Sequence, residues 1–402
     1  MAPDVLVVGS GGAGLSAALA AARAGARVLL VTKLGLASSN TAKAQGGIQA
    51  AVGEDDAPEL HEADVYSSSH ETADRRLSTV LAAEAPDVVR RLEELGVAFT
   101  RTAEGGYRLA RCGGASRRRL LQVGDRTGHV IAAALRDAVR AHERIETLDH
   151  TALVGLDPDG GRIRAEIDER GSRRTVEAGA VVLAAGGRCY AEARRRGEAS
   201  TNGAGATGEV TEIAVGVGCA VRDIDALQWH PNGGAWPESM AGYSIPETTR
   251  AYGALLLNGR GERFVDELAP RDVVAAAIVR EVAEGRGVGT PDGRPSVLLD
   301  VRPVPAADAE ISLPYMLRRY RHAGIDPLRE PIHTYPVLHY QNGGLVIDPD
   351  GATTVDGVWA AGEITGGVHG RNRMMGNSLL DICVFGRRAG RAAAAAVVRV
   401  GR

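Results

Sequence analysis

The apolar residues at the start of the chain predict a strand, a helix and a second strand in close succession. Residues 4–8 read Asp-Val-Leu-Val-Val, a short apolar run of the kind found in strands buried on both faces. Residues 15–24 are rich in alanine and leucine and predict a helix that ends at Gly25. Residues 27–32 predict a second strand, so the start of the chain has the pattern of a βαβ unit.

Similar strand-like runs return far along the chain, at residues 181–187 and 357–363. The middle, about residues 219–336, has a different composition and contains a helix candidate at residues 271–284. Strands at both ends with unlike sequence between them predict one discontinuous domain, residues 1–218 and 337–402, with an inserted α+β domain over residues 219–336. The alanine-rich residues 378–400 predict a helix that packs on the first domain.

Composition and charge exclude several classes of function. Hydrophobic residues make up 44% of the 402 and the net charge is −3, so neither a nucleic-acid partner nor an anionic membrane is indicated. The four cysteines form no C-x-x-C pair, so we expect no metal site, iron–sulfur cluster or disulfide framework. No apolar run reaches the roughly 18 residues of a transmembrane helix. We therefore expect a reduced, cytoplasmic protein.

A glycine motif lies between the first strand and the first helix. In Gly9-x-Gly11-x-x-Gly14, the first glycine permits a tight turn and the second lets the backbone approach a pyrophosphate. The third lets the helix pack close to its strand. The acidic residue that binds ribose in many NAD enzymes is missing at the end of the second strand, where Lys33 stands. Glu363 follows the last predicted strand instead and could reach a ribitol or ribose hydroxyl. A cofactor site split between both ends of the chain favours FAD.

Further segments resemble, in order, one flavoprotein family, that of succinate dehydrogenase, fumarate reductase and L-aspartate oxidase. They are residues 39–47, 113–117, 228–231, 247–250, 261–264, 269–274, 367–374 and 376–381. The resemblance implies an α/β fold, in which a discontinuous Rossmann-like FAD-binding domain carries an inserted α+β capping domain. With the glycine motif, it implies FAD contacts from Gly9, Gly11, Gly12, Ala13, Gly14, Lys33, Asn40, Thr41, Ala44, Gln45, Gly46, Gly47, Gly186, Glu363, Asn377, Ser378 and Leu379.

The resemblance also implies a chemistry, in which a hydride moves between the flavin and a four-carbon dicarboxylate while a proton moves at the neighbouring carbon. The substrate-binding residues it implies are His230, His339, Arg373 and Ser116, and the residues it implies for proton transfer are Arg271, Glu247 and Arg250. Taken alone, either histidine would more often be structural, and Glu247 with Arg250 would be a surface pair at i,i+3 spacing.

Four departures from the family pattern narrow the range of functions that the resemblance implies. Asn40 stands where membrane-linked members carry a histidine bonded to FAD, so we expect non-covalent FAD. Cys112 and Ala115 stand where L-aspartate oxidases usually have glutamate and histidine, which argues against aspartate. Pro246 replaces a threonine that helps to bind a carboxylate, and Ala251-Tyr252 replaces Gly-Glu. The chain also ends soon after the flavin motif, so we expect no iron–sulfur partner.

The function we expect most is that of an L-aspartate oxidase, which forms iminoaspartate for nicotinamide biosynthesis and is reoxidised by oxygen or fumarate. The first alternative is a soluble fumarate reductase or succinate dehydrogenase-like flavoprotein, which Cys112 and Ala115 favour. The second is a flavin-binding protein without dicarboxylate activity.

Overall fold

A computed structural model describes residues 2–158 and 161–400. The strands are β1 Val5–Val8, β2 Val28–Thr32, β3 Ile48–Gln49, β4 Leu120–Leu121, β5 Ile145–Asp149, β6 Thr151–Asp157, β7 Ile163–Glu169, β8 Ser172–Ala178, β9 Ala180–Leu183, β10 Val221–Arg222, β11 Leu227–Gly234, β12 Leu255–Leu257, β13 Val297–Asp300, β14 Ile332–Gln341, β15 Gly344–Val346, β16 Val358–Ala360 and β17 Thr365–Gly366. The helices are α1 Gly12–Arg23, α2 Asn40–Lys43, α3 Pro58–Ser68, α4 Arg75–Glu94, α5 Thr127–Arg140, α6 Cys189–Arg196, α7 Glu209–Gly216, α8 Thr248–Ala251, α9 Arg271–Ala283, α10 Ala306–Ser312, α11 Pro314–His322 and α12 Asn377–Val400.

A parallel sheet in the order β16-β9-β1-β2-β5 forms the base of the molecule. β1 and β9 are buried along their whole length, as the apolar runs predict. β9 and β16 come from the two late runs and pair with each other beside β1, so the α/β fold with a discontinuous parallel sheet is confirmed. The first helix begins three residues earlier than predicted, because the glycine turn already has helical backbone from Gly12.

The last helix packs along the first one, across the face of this sheet. Gly386 and Gly390 make that approach close, since a Cβ atom on them would lie 2.6 Å from Ala13 O and 2.1 Å from Ala17 O. The alanine-rich composition of α1 and α12 therefore serves helix–helix packing, and it brings the N-terminus of α12 back to the glycine turn.

The middle of the chain has its own sheet and its own core. The antiparallel sheet β11-β14-β13-β12 runs from Leu227 to Gln341, and a second buried apolar cluster includes Met240, Ile278, Leu299 and Leu317. β10 pairs instead with β15, outside this sheet. The sheet thus begins later and ends later than residues 219–336, and the exact domain division stays a prediction.

Two further features of the fold are a small antiparallel sheet and the character of the helices. An antiparallel meander, β6-β7-β8, lies between β5 and β9 in the chain and is not among the elements predicted above. Among the described helices, none combines the length and the apolar character that crossing a bilayer requires.

Candidate active site

The glycine turn between β1 and α1 has the close contacts that its motif predicts. Gly9 has a φ of +108°, and a Cβ atom on it would lie 2.4 Å from Ala184 O. A Cβ atom on Gly14 would lie 1.8 Å from Gly9 O, so α1 can pack this near to β1 only with glycine there. Gly11, by contrast, faces open space, with Thr41 Oγ1 3.7 Å from an added Cβ. The turn therefore leaves a clear backbone surface at the N-terminus of α1, which fits a pyrophosphate.

A cavity of about 890 Å³ extends from this turn to the four-stranded sheet of the middle segment. Its walls come from both ends of the chain and include most of the residues expected to contact FAD. These are Gly9, Gly11, Gly12, Ala13, Lys33, Asn40, Thr41, Ala44, Gln45, Gly46, Gly47, Gly186, Glu363, Ser378 and Leu379. Gly14 lies beneath the turn, and the Asn377 side chain turns away to His61, with 3.0 Å between Oδ1 and Nε2.

Beside the glycine turn, the cavity wall contains a carboxylate that no sequence motif predicts. Glu209, at the start of α7, lines the cavity and forms an ion pair with Lys33. Lys33 Nζ also donates to Thr207 Oγ1 over 2.7 Å. Glu209 is 176 residues from Lys33 and belongs to no motif of the glycine turn, so only the fold brings the two together.

Asn40 and Glu363 lie in the cavity wall as the sequence analysis expects. Asn40 Oδ1 accepts the backbone N–H of Gly203 over 2.9 Å, and its Nδ2 donates to Asn202 Oδ1 over 2.6 Å. Burial raises the pKa of Glu363 to about 7, although the backbone N–H of Gln341, 3.0 Å away, opposes the rise. The carboxyl of Glu363 therefore changes its charge near neutral pH.

Arg271 and Glu247 line the cavity, and with Arg250 behind them they form a buried chain of charges. Arg271 Nε donates to Glu247 Oε2 over 2.7 Å, and Arg250 Nη2 lies 3.5 Å from the same oxygen. Glu247 Oε1 accepts the backbone N–H of Gly113 over 3.1 Å. Burial alone would raise the pKa of Glu247, but the charges of Arg271 and Arg250 outweigh it and the pKa is lowered. Burial lowers the pKa of Arg250.

His230 and His339 line the same cavity and are in edge-to-face contact, with 5.1 Å between their ring centroids. Burial, with the charge of Arg271 added, lowers the pKa of both histidines well below the ordinary value, so both are neutral at pH 7. His230 Nδ1 accepts the backbone N–H of Asn232 over 3.1 Å. Because a neutral imidazole carries one proton, the proton of His230 is on Nε2.

Arg373 completes this group of residues. Its guanidinium carbon lies 4.2 Å from the ring centroid of Tyr340, and burial lowers its pKa to about 10. Arg373 Nε and Arg271 Nη1 are buried donors without a hydrogen-bond partner among the described residues. Buried N–H groups are rarely left unpaired, and among the described arginines that have such a donor these two line the cavity, where an anionic ligand would pair with them.

Two residues of the loop before β4 lie outside the cavity wall, and one of them, Ser116, was expected to bind substrate. Ser116 is exposed, lies outside the cavity wall and donates its hydroxyl to Asp64 Oδ2 over 2.8 Å, so the structure does not bring it to the other candidates. Cys112 is buried beneath the loop, with its sulfur 3.7 Å from Met375 O. Burial raises the pKa of this thiol far above its usual value, so the thiol is uncharged. Pro246 lines the cavity beside Glu247.

Comparisons with known proteins indicate an FAD-binding protein, in agreement with the cavity and its glycine turn. The FAD binding domain family model matches residues 4–379. One chain of the CoM/CoB fumarate reductase of Methanothermobacter marburgensis is 38% identical over 97% of this chain and 72% of its own length. L-aspartate oxidase of Streptomyces coelicolor is 38% identical over 96% of this chain and 68% of its own length.

The solved structures give the same result. The FrdA chain of E. coli quinol fumarate reductase superimposes with a TM-score of 0.90 at 30% identity, over 100% of this chain and 71% of that one. Mycobacterium smegmatis Sdh1 in complex with UQ1 gives 0.81 at 37% identity, over 99% and 69%. Together with the split cavity and its glycine turn, these matches show that the chain is an FAD-dependent oxidoreductase belonging to the flavoprotein family of succinate dehydrogenase, fumarate reductase and L-aspartate oxidase.

Proposed function

We propose that the chain transfers a hydride between FAD and a four-carbon dicarboxylate. The observation that carries the proposal is the pair of buried, unpartnered guanidinium donors on Arg271 and Arg373, beside two neutral histidines. Planar guanidinium groups match the geometry of carboxylates, and both arginines line one cavity. When FAD is bound, it supplies the site that accepts or donates the hydride.

The histidines fit the role of neutral donors to the substrate carboxylates. His230 carries its proton on Nε2, as its Nδ1 contact requires. His339 Nδ1 lies 2.7 Å from Thr201 Oγ1, and that oxygen already accepts from Asn202 Nδ2 over 3.4 Å. The Thr201 hydroxyl can donate to His339 Nδ1, and in that tautomer the proton of His339 is on Nε2, as it is in His230.

Arg271 is our candidate for the residue that donates or accepts the proton at the substrate carbon. Arginine is a weak acid, with a pKa above about 12, so a partner must resupply or remove the proton. Glu247 accepts from Arg271 Nε at 2.7 Å and lies beside Arg250, which gives a buried path with alternating charges. In the reductive direction Arg271 donates a proton to one substrate carbon while the hydride reaches the neighbouring carbon. In the oxidative direction the proton and the hydride leave these two carbons.

Two substrates fit this scheme, and for L-aspartate the loss of hydride and proton from neighbouring carbons gives the enamine, which tautomerises to iminoaspartate. L-aspartate is the substrate of several similar enzymes, including the one from S. coelicolor, as their names state. Fumarate or succinate is favoured by Cys112, because an uncharged thiol offers nothing to a substrate ammonium group. Glu247 offers little more, since its carboxylate already binds two arginines.

An anaerobic experiment with the purified holoenzyme tests the proposal. L-aspartate is added first, and loss of the visible absorbance of oxidised flavin would identify an aspartate-oxidising enzyme. If the colour persists, the flavin is reduced chemically and fumarate is added, and return of the colour would identify a fumarate-reducing enzyme. A flavin that responds to neither would overturn the dicarboxylate proposal and leave the FAD assignment intact.

A further inference from the structure

Three arginines surround Tyr315 where the cavity meets solvent. The guanidinium carbons of Arg126, Arg318 and Arg319 lie 5.3, 5.3 and 6.0 Å from the Tyr315 ring centroid. Arg126 and Arg319 line the cavity, and Arg126 is also exposed, so the cavity opens at this point. We call these three residues the mouth cluster.

The positive charge of the mouth cluster is not compensated by ion pairs. None of the three has a carboxylate within ion-pair distance in the part of the chain that the structure describes. Arg321, further along α11, pairs with Glu310 over 2.9 Å. The neighbouring carboxylate, Asp125, lines the cavity and interacts electrostatically with Arg318 from beyond ion-pair distance, while its oxygens accept the backbone N–H groups of Tyr315 and Met316 over 2.9 and 2.7 Å.

Arg319 is held in place by aromatic rings instead of by an acid. Its guanidinium carbon lies 4.9 Å from the Tyr243 centroid, and its Nη1 donates to Tyr315 Oη over 3.4 Å. Tyr243 is fixed in turn, because its hydroxyl donates to Gln45 Oε1 over 2.8 Å. A cation held against aromatic faces keeps its full charge for a ligand.

We propose that the mouth cluster is an anion-capture site that draws dicarboxylates from solvent into the cavity. Like charges lining a low-dielectric cleft focus the field and raise the local concentration of an oppositely charged ligand. The two inner arginines, Arg271 and Arg373, then receive the ligand. This inference rests on the proposed function, since it takes the substrate to be a dianion.

Ionic strength tests the inference. We expect the double variant Arg126→Gln/Arg319→Gln to lose about tenfold in kcat/KM at low salt, with kcat unchanged. The loss should shrink to less than about twofold near 0.5 M salt, because the Debye length is then only a few ångströms. Arg319→Lys keeps the charge and should keep most of the wild-type value at low salt.

Arg140→Gln is the matched control, because Arg140 is exposed, lies at the end of α5 and does not line the cavity. Equal kcat/KM values for the control and the double variant at low salt would overturn the inference. So would a loss that does not depend on salt, since it would indicate disturbed packing around Tyr243 and Tyr315.

A direct binding measurement separates this inference from the proposed function. Fumarate is titrated into the oxidised holoenzyme and its affinity is read from the change in the flavin spectrum. Weaker, less salt-dependent binding in the double variant than in Arg140→Gln would support the capture site even without turnover. Equal affinities, or no binding by the wild type, would overturn it.

Discussion

Arg271, Glu247 and Arg250 carry two positive charges and one negative charge out of water. Each of the three is buried, and the carboxylate of Glu247 serves both guanidinium groups. Burial of ions costs several kcal/mol for each ion, and a single carboxylate cannot compensate two cations fully. An anionic ligand therefore explains this net positive charge better than a contribution to folding stability does. A substrate carboxylate at Arg271 Nη1 would complete the set.

Replacement of Arg271 by glutamine tests its role in proton transfer. We expect Arg271→Gln to lower kcat by about 10²- to 10⁴-fold, the usual contribution of a general acid or base. FAD should stay bound, because none of the glycine-turn contacts involves Arg271. Arg271→Lys should restore little, since an ammonium group cannot donate to Glu247 and to a carboxylate in the planar geometry of arginine. Steady-state kinetics and the ratio of flavin to protein are the measurements.

Arg280→Gln provides the control for this variant. Arg280 lies on the same helix, α9, is exposed and is remote from Glu247. Its replacement should leave kcat within about twofold of the wild type, as expected for a surface substitution. If Arg271→Gln turned over as fast as Arg280→Gln, the proton path through Glu247 would be wrong.

Single residues also show what the sequence could and could not predict about the site. Gly9, Gly11 and Glu363 could be predicted because their place after strands has a physical reason, and all three line the cavity. Ser116 was placed by motif alone; the loop turns its hydroxyl outward to Asp64. Glu209 was missed because its contact with Lys33 spans 176 residues, and no local pattern records such a contact.

The turn between β1 and α1 separates two roles of glycine, one in packing and one in cofactor binding. Gly14→Ala would push a methyl group to 1.8 Å from Gly9 O, so α1 would have to move away from β1. We expect a lower melting temperature of the apoprotein and loss of FAD. Gly11→Ala meets only Thr41 Oγ1 at 3.7 Å and has an ordinary φ of −65°. It should leave the apoprotein as stable as the wild type and weaken only FAD binding.

Thermal melting of the two apoproteins and FAD titration of each variant check this difference. Gly11→Ala serves as the control for Gly14→Ala, because the two add the same methyl group within one turn of chain. Equal melting temperatures would contradict the role of Gly14 in packing. Unchanged FAD affinity of Gly11→Ala would mean that the pyrophosphate does not approach that part of the turn.

A strand or helix can be predicted from sequence when its own residues, without its neighbours in the fold, determine its structure. The strands of the parallel sheet are buried on both faces, so their continuous apolar runs identify them without knowledge of their neighbours. The meander β6-β7-β8 is a mixed case: β7 alternates buried and exposed residues, as a half-buried strand does, but β8 is mostly exposed and its sequence carries little of that alternation. The order of strands in the sheet depends on long-range pairing, which a single sequence does not show.

The molecule is closed around a cavity that both ends of the chain help to build. Residues of β1 and α1 form one wall, and Ser378 and Leu379 at the start of α12 form another. The four-stranded sheet of the middle segment, with its separate apolar cluster, supplies His230 and His339. A cofactor in this cavity contacts several distant segments at once, so its binding should stabilise the arrangement of the whole chain.

Removal of FAD tests both this linkage and the nature of the attachment. Asn40 is an amide held by Asn202 and Gly203, and it offers no ring nitrogen for a bond to flavin. After acid precipitation we therefore expect the yellow colour in the supernatant, whereas a yellow pellet would show a covalent bond. The apoprotein should melt at a lower temperature than the holoenzyme, and FAD at a thousandfold excess over Kd should restore about 4 kcal/mol. If added FAD left the melting temperature unchanged, the cofactor would not hold the distant segments together.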